Sequence, residues 1–259
     1  MPKSTSERSR VLILGGTRDA ATLAYAAVAK FDDSVEIISS LAGRTATPEL
    51  PGLVRSGGFG GADGLQKFLQ QEKINALIDA THPFAAKISK SAATACDNAN
   101  VARLSLIRPP WPLETGGPWI DVSSMEEAVE TLENLKAERV FVSTGVTDLQ
   151  AFARLSDVFF LVRLINKLPN FPLANSTIVT GKPPFSMDEE ITLMQDHRID
   201  TMVTKNSGGD LNQGKIEAVT ALNLRTIVIR RPVHPQGDQA ETVEQSLEWL
   251  MTQLSPALA

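Results

Sequence analysis

The feature that most constrains this chain is the apolar run Val-Leu-Ile-Leu at residues 11–14. It is closed by Gly15-Gly16 and followed by an alanine-rich, breaker-poor stretch at 17–30. A run that is apolar at every position suits a strand covered on both faces. Alanine is the best helix former, so the segment reads strand, tight turn, helix. The pattern recurs. Strands are expected at 35–39, 53–55, 75–79 and 103–107, with helices at 65–72 and from Pro83, suited to a first helical position, to about residue 98. Strands alternating with helices pair in parallel through right-handed crossovers.

A break in composition follows. Pro109-Pro110-Trp111-Pro112 and Gly116-Gly117-Pro118 interrupt the alternation and divide the 259 residues into a first domain, 1–112, and a second, 113–259. In the second, strands are expected at 139–143, 159–164, 177–179, 200–204 and 226–229, and a final helix at 239–254. Each series ends its last strand in the same dipeptide, Arg108-Pro109 and Arg231-Pro232. The expected fold class is α/β: two Rossmann-like parallel-sheet lobes with a cleft between them. Ligands in such folds gather at the carboxyl ends of strands.

Composition narrows the function classes. The chain is 42% hydrophobic and 21% charged, enough to fill a core. No apolar run approaches the ~18 residues of a membrane span, and the polar, basic segment 1–10 lacks the apolar region of a signal peptide. Cys96 is the lone cysteine, so no disulfide framework forms within one chain, and the cytoplasm is the expected location. The net charge of −5 comes with no basic, aromatic-laced stripe, which argues against nucleic acid. Three widely separated histidines, His82, His197 and His234, argue against a metal site. Neither a P-loop nor a G-x-S-x-G elbow is present. Ser123…Glu126 and Ser186…Glu189 have capping-box spacing and are assigned no chemistry.

Several strand ends carry residues suited to chemistry. Gly15-Gly16-Thr17-Arg18 opens a helix after the first strand, the context of a dinucleotide-binding turn. Glycines admit a pyrophosphate, and the N–H groups and dipole of a helix start favour it. Thr17 stands where the middle glycine of G-x-G-x-x-A belongs, and its hydroxyl offers a further phosphate donor. An ordinary glycine turn gives the same pattern. Ser39, Ser40 and Arg44 follow the second strand, where an NAD enzyme has an acid for the ribose hydroxyls. Hydroxyls and a guanidinium there suit a 2′-phosphate. The glycine loop 57–61, with Gly58 and Phe59, either wraps the cofactor or is a plain connection. Asp79-Ala80-Thr81-His82-Pro83 ends the fourth strand. Thr81 or His82 serves as a helix cap there, or the loop borders the nicotinamide with His82 or Asp79 as proton donor. In the second lobe Thr144-Gly145 ends one strand. Lys205-Asn206-Ser207-Gly208-Gly209 ends another, with Lys215 opening the next helix. Lysine, hydroxyl and glycine N–H groups together favour an anion.

In order along the chain, Gly15-Gly16-Thr17, Ser40-Leu41-Ala42-Gly43-Arg44-Thr45, the loop 57–61, Asp79-Ala80-Thr81-His82-Pro83-Phe84-Ala85, and Lys205-Asn206-Ser207-Gly208-Gly209 with Lys215-Ile216 resemble the precorrin-6A reductases. The resemblance implies a two-lobe Rossmann-like fold, with NADPH bound by the first lobe as hydride donor. It also implies reduction of one double bond of precorrin-6A, a carboxylate-bearing tetrapyrrole on the way to cobalamin. On that reading Thr144, Gly145, Lys205, Ser207, Gly208, Gly209, Lys215 and Arg231 line the substrate site, the basic residues holding peripheral carboxylates. The expected assembly is a monomer or small homo-oligomer. Two rival readings remain: a tetrapyrrole methyltransferase, whose cofactor has no phosphate for the Ser40…Arg44 cluster, and an NADPH-binding redox sensor without catalysis.

Overall fold

Alternating apolar runs and helices build two six-stranded parallel sheets in the computed structural model, which describes residues 8–43, 49–113, 116–166, 168 and 170–258. The chain begins with β1 (Ser9–Leu14), α1 (Arg18–Phe31), β2 (Val35–Leu41), β3 (Leu53–Ser56), α2 (Ala62–Gln71), β4 (Ala76–Asp79), α3 (Ala86–Ala99) and β5 (Ala102–Leu106). It continues with β6 (Trp119–Val122), α4 (Met125–Leu135), β7 (Arg139–Val142), β8 (Phe159–Leu164), β9 (Ser176–Thr180), α5 (Met187–Asp196), β10 (Thr201–Lys205), α6 (Gln213–Ala221) and β11 (Arg225–Ile229). It closes with β12 (Asp238–Ala240) and α7 (Val243–Leu258).

The first sheet has the order β12-β5-β4-β1-β2-β3 and the second β6-β11-β10-β7-β8-β9. The first is the doubly wound order of a dinucleotide-binding sheet, read from its sixth strand. The two compact units are Met1–Arg108 with Pro232–Ala259, and Pro109–Arg231. This corrects the contiguous division into 1–112 and 113–259. After Arg231 the chain returns to the first unit. There β12 pairs with β5, Asp238 opposite Leu104 and Ala240 opposite Leu106, and α7 adds Leu250 and Leu254 to the core of that sheet. Both crossings fall at the repeated Arg-Pro dipeptides.

β1 shows why its run is apolar throughout. Side chains alternate between faces along a strand. Val11 and Ile13 pack with Leu23, Ala24 and Ala27 of α1 and Leu250 of α7, whereas Leu12 and Leu14 pack with Leu65, Leu77 and Ala92 beneath α2 and α3. Both faces bury side chains worth about 1.5–3 kcal/mol each, which is why residues 11–14 are apolar on either face. α1 is set by its ends. Thr17 caps it by accepting the Ala20 N–H, Asp19 lies in its first turn and Lys30 in its last, in accord with the helix dipole.

Three other expectations are corrected. α3 starts at Ala86, because residues 82–85 close a turn in which Ala85 N–H donates to the His82 carbonyl at 2.7 Å and Phe84 N–H to His82 Nδ1 at 3.2 Å. Neither Thr81 nor His82 caps it. The final helix is preceded by the strand β12 and runs later than 239–254. The first capping box is shifted by one residue: Ser124 accepts the Glu127 N–H, and Ser123 donates to the Glu127 carboxylate. Ser186 and Glu189 form the full reciprocal box. Among the described residues no helix is long and apolar enough to cross a membrane.

Candidate functional site

In the first sheet the winding reverses between neighbouring strands β1 and β4. β1 leads through α1 to β2 on one side, and β4 through α3 to β5 on the other. The carboxyl ends at such a switch point are where doubly wound sheets receive ligands. Gly15, Gly16 and Thr17 sit there. Gly16 is exposed at φ +105°, and a Cβ at this position would meet nothing within 4 Å, so the backbone is open to close approach. Thr17 Oγ1 accepts the Ala20 N–H at 3.0 Å and donates to the Ala80 carbonyl at 2.7 Å. Its one proton is thus committed within the protein. An anion at this turn would be held by backbone N–H groups at the start of α1 and by the helix dipole. Arg18, the exposed first residue of α1, stands beside that turn.

At the end of β4, Asp79 is 2% exposed. Its Oδ1 accepts from the Thr81 N–H at 3.1 Å and the Thr81 hydroxyl at 2.6 Å. Its buried Oδ2 has no hydrogen-bond partner and lies 3.8 Å from Nε2 of His234. In the sequence His234 lies between Pro232 and Pro235. The return of the chain after Arg231 brings it to Asp79. His82, by contrast, is exposed.

At the ends of β2 and β3, the Ser40 carbonyl accepts the Gly15 N–H at 2.9 Å, tying the glycine turn to β2. The Ser40 hydroxyl accepts from Nη1 of Arg55 at 2.6 Å, and Nη2 of Arg55 donates to the Gly58 carbonyl at 3.3 Å. The guanidinium lies over the Phe59 ring, 3.8 Å from its centre, and 5.1 Å from the centre of the Phe68 ring. Burial lowers the pKa of Arg55 from its ordinary value. Sequence reasoning missed this arginine, though a basic residue between a strand end and a glycine loop was the available signal. Ser39 is 2% exposed, and its hydroxyl has no partner. Arg44 lies outside the described residues. Gly15, Gly16, Thr17, Ser40, Asp79 and Thr81 are thus gathered at adjacent strand ends, with Gly58 and Phe59 beside β3. An open glycine turn, a helix N-terminus and a strand end without an acid fit a phosphorylated dinucleotide.

The second sheet has its own switch point, between β7 and β10. Ser143 N–H donates to the Val203 carbonyl at 3.1 Å, and its hydroxyl lies 3.1 Å from that of Thr204. Lys215, 5% exposed, donates to the Ser143 hydroxyl at 3.0 Å and lies 5.3 Å from the centre of the Trp111 ring. Burial pulls its pKa down to about 8, against the opposing charge of Glu190, with Arg163 adding to the lowering. Arg163 and Glu190 form their own two-pronged ion pair. Lys205 Nζ is 2.5 Å from Asp148. Thr144 is 6% exposed with an unpartnered hydroxyl, and Gly145 follows it at φ +93°. Ser207 and Gly208 are buried in the loop after β10. That loop is braced by Arg231, which donates to the carbonyls of Asn206 at 2.7 Å and Pro109 at 3.1 Å, and by Trp111, whose Nε1 donates to the Gly209 carbonyl at 3.0 Å. Thr144, Lys205, Ser207 and Lys215 thus cluster at one pair of strand ends, and Arg231 donates to the Asn206 carbonyl of the loop after β10. Ser143, Asp148 and Trp111 were not foreseen.

The profile of the family described as "Precorrin-6x reductase CbiJ/CobK" matches residues 10–251. The chain belongs to this family. A precorrin-6A reductase from Rhodococcus erythropolis is 41% identical over 246 residues, covering 94% of this chain and 98% of the relative. One from Mycobacterium tuberculosis is 40% identical over 245 residues, covering 93% and 97%. A solved structure named "CobK precorrin-6A reductase" superposes with a TM-score of 0.86 at 35% identity, covering 95% of this chain and 97% of that one. As a member of the precorrin-6x reductase family the chain is an oxidoreductase of α/β fold.

Proposed function

We propose that this chain reduces one double bond of precorrin-6A with NADPH as donor, in the cytoplasm. The observation that carries the reading is the open Gly16 turn at the N-terminus of α1, at the β1–β4 switch point, in a chain of the precorrin-6x reductase family. NADPH when bound supplies a hydride. The reduction would place one new C–H bond at a ring carbon and a proton on the neighbouring atom. The two-electron reduction of the macrocycle is balanced by oxidation of the nicotinamide.

The protein's part is orientation and electrostatics. Backbone N–H groups of Gly16, Thr17 and Arg18 hold the pyrophosphate, while Ser39, Ser40 and Arg44 serve the ribose end. Gly58, Phe59 and Thr81 border the cofactor. Lys205 and Lys215 supply positive charge for peripheral carboxylates, with Thr144, Gly145, Ser207, Gly208 and Gly209 offering hydroxyl and N–H donors. Buried Asp79 and the neighbouring His234 and His82 are the groups able to pass a proton at the end of β4. The test is anaerobic NADPH oxidation, followed at its near-ultraviolet band, with and without precorrin-6A. Oxidation that requires both protein and macrocycle supports the reading. NADPH binding without oxidation by precorrin-6A or its cobalt form rules it out.

A further inference from the structure

We infer that Arg55 reads the 2′-phosphate of the dinucleotide and sets the preference for NADPH over NADH, an inference that rests on the nicotinamide-dependent reading above. Arg55 stands opposite Ser40 in the β2–β3 register, so both project from the same face of the sheet, while Ser39 projects from the other. In a doubly wound sheet the carboxyl end of the second strand meets the adenosine ribose. Residues 39–43 there carry no acid that would hold free ribose hydroxyls and repel a phosphate.

The guanidinium is fixed before any ligand arrives. Phe59 lies under it at 3.8 Å, the Ser40 hydroxyl holds one prong at 2.6 Å, and the Gly58 carbonyl holds the other. Its five N–H donors exceed these two acceptors. Arg10, Arg108, Arg154, Arg163 and Arg230 each pair with a carboxylate, but among the described residues Arg55 has none. A partly desolvated cation, immobilised and without a counter-charge, is suited to a dianionic phosphate, which it can meet through two parallel N–H bonds. Gly64 of α2 permits the arrangement: a Cβ there would lie 1.7 Å from the Phe59 carbonyl oxygen, so only glycine lets the loop carrying Phe59 rest on the helix.

The test is calorimetric titration of the full-length protein, wild type and Arg55→Met, with NADPH, NADH, 2′,5′-ADP and 5′-AMP. Arg55→Met is expected to weaken NADPH and 2′,5′-ADP by about 10- to 100-fold, the loss of a charge-assisted pair, and to leave NADH and 5′-AMP within about twofold. Arg55→Lys keeps the charge without the fork and is expected to recover part of the loss. An equal loss for all four ligands means Arg55 only supports the loop and overturns the inference. A preference for NADPH that survives Arg55→Met also overturns it, while leaving the reductase reading in place. A wild-type protein that binds neither dinucleotide overturns both.

Discussion

Lys215 carries its charge where little water reaches it, and among the described residues no carboxylate is in ion-pair range. Burial holds its pKa at about 8, below the ordinary 10.5. Below pH 8 both folded and unfolded chains keep the proton, so the cost of burying the charge is fully present. Between pH 8 and 10.5 the unfolded chain holds a proton that the folded one has released, and stability rises with pH through that window. Lys215→Met is therefore expected to raise the melting temperature at pH 6–7 and to lose the advantage as pH climbs towards 10.5, checked by thermal denaturation across that range. The same substitution is expected to raise the KM for the tetrapyrrole at least tenfold, because stability and function oppose each other at such a site. In the wild type that KM should rise as pH passes through about 8, where the charge is lost. His82→Ala, at an exposed position, is expected to lower turnover by less than tenfold, since water can replace an exposed proton donor. A thousandfold loss with NADPH binding intact would make His82 the donor. The sequence singled out Lys215 by its place after a strand. Its burial could not be read there, because that depends on Trp111 and Ser143, which come from remote segments.

Elements divide by where they sit in a sheet. Central strands announced themselves: residues 11–14 of β1 are apolar at each position because they are covered on both faces. Of the edge strands, β3 and β9 were expected at 53–55 and 177–179, whereas β12 and β6 were not. β12 is only Asp-Gln-Ala, and β6 hides beside a proline- and glycine-rich stretch. An edge strand has one covered flank, so its residues need not be apolar, and its pairing partner lies far away in sequence. The capping-box shift has a local cause: two consecutive serines face two consecutive glutamates, and the spacing rule is met in either register. The glycine turn was legible as a turn, but Thr17's bond to Ala80 joins two loops and was not. Thr17→Ala is expected to cost about 1–2 kcal/mol through loss of the cap of α1, measurable by urea denaturation, and to weaken NADPH as the turn loosens. Gly64→Ala is expected to displace the Phe59 loop and to weaken NADPH more than NADH, because the stacked Arg55 moves with it. Equal weakening of both cofactors would show that the loop does not carry the selectivity.

At the scale of the whole chain, the fold class was readable and the domain boundary was half readable. The break after residue 108 is flanked by prolines and glycines, which mark an exit. The return after Arg231 has only the repeated Arg-Pro, because what defines it is the pairing of β12 with β5, a contact between distant residues. A chain ending at residue 231 lacks β12 and α7, leaving the edge of β5 and the apolar side chains facing Leu250 and Leu254 uncovered. It is expected to be largely insoluble, whereas residues 109–231 alone, with a complete sheet, are expected to melt cooperatively in calorimetry. The discontinuous first unit also sets an order of events at the ribosome. Its last strand emerges only after the whole of the second unit, so five strands of the first sheet must wait with one edge open. If residues 109–231 fold in the meantime, the long flexible tether between β5 and β12 shrinks to two short ends, and the entropy of closing it falls. The inserted unit would then act as a clasp for the sheet that surrounds it in sequence, and a translation pause near residue 231 would favour correct closure.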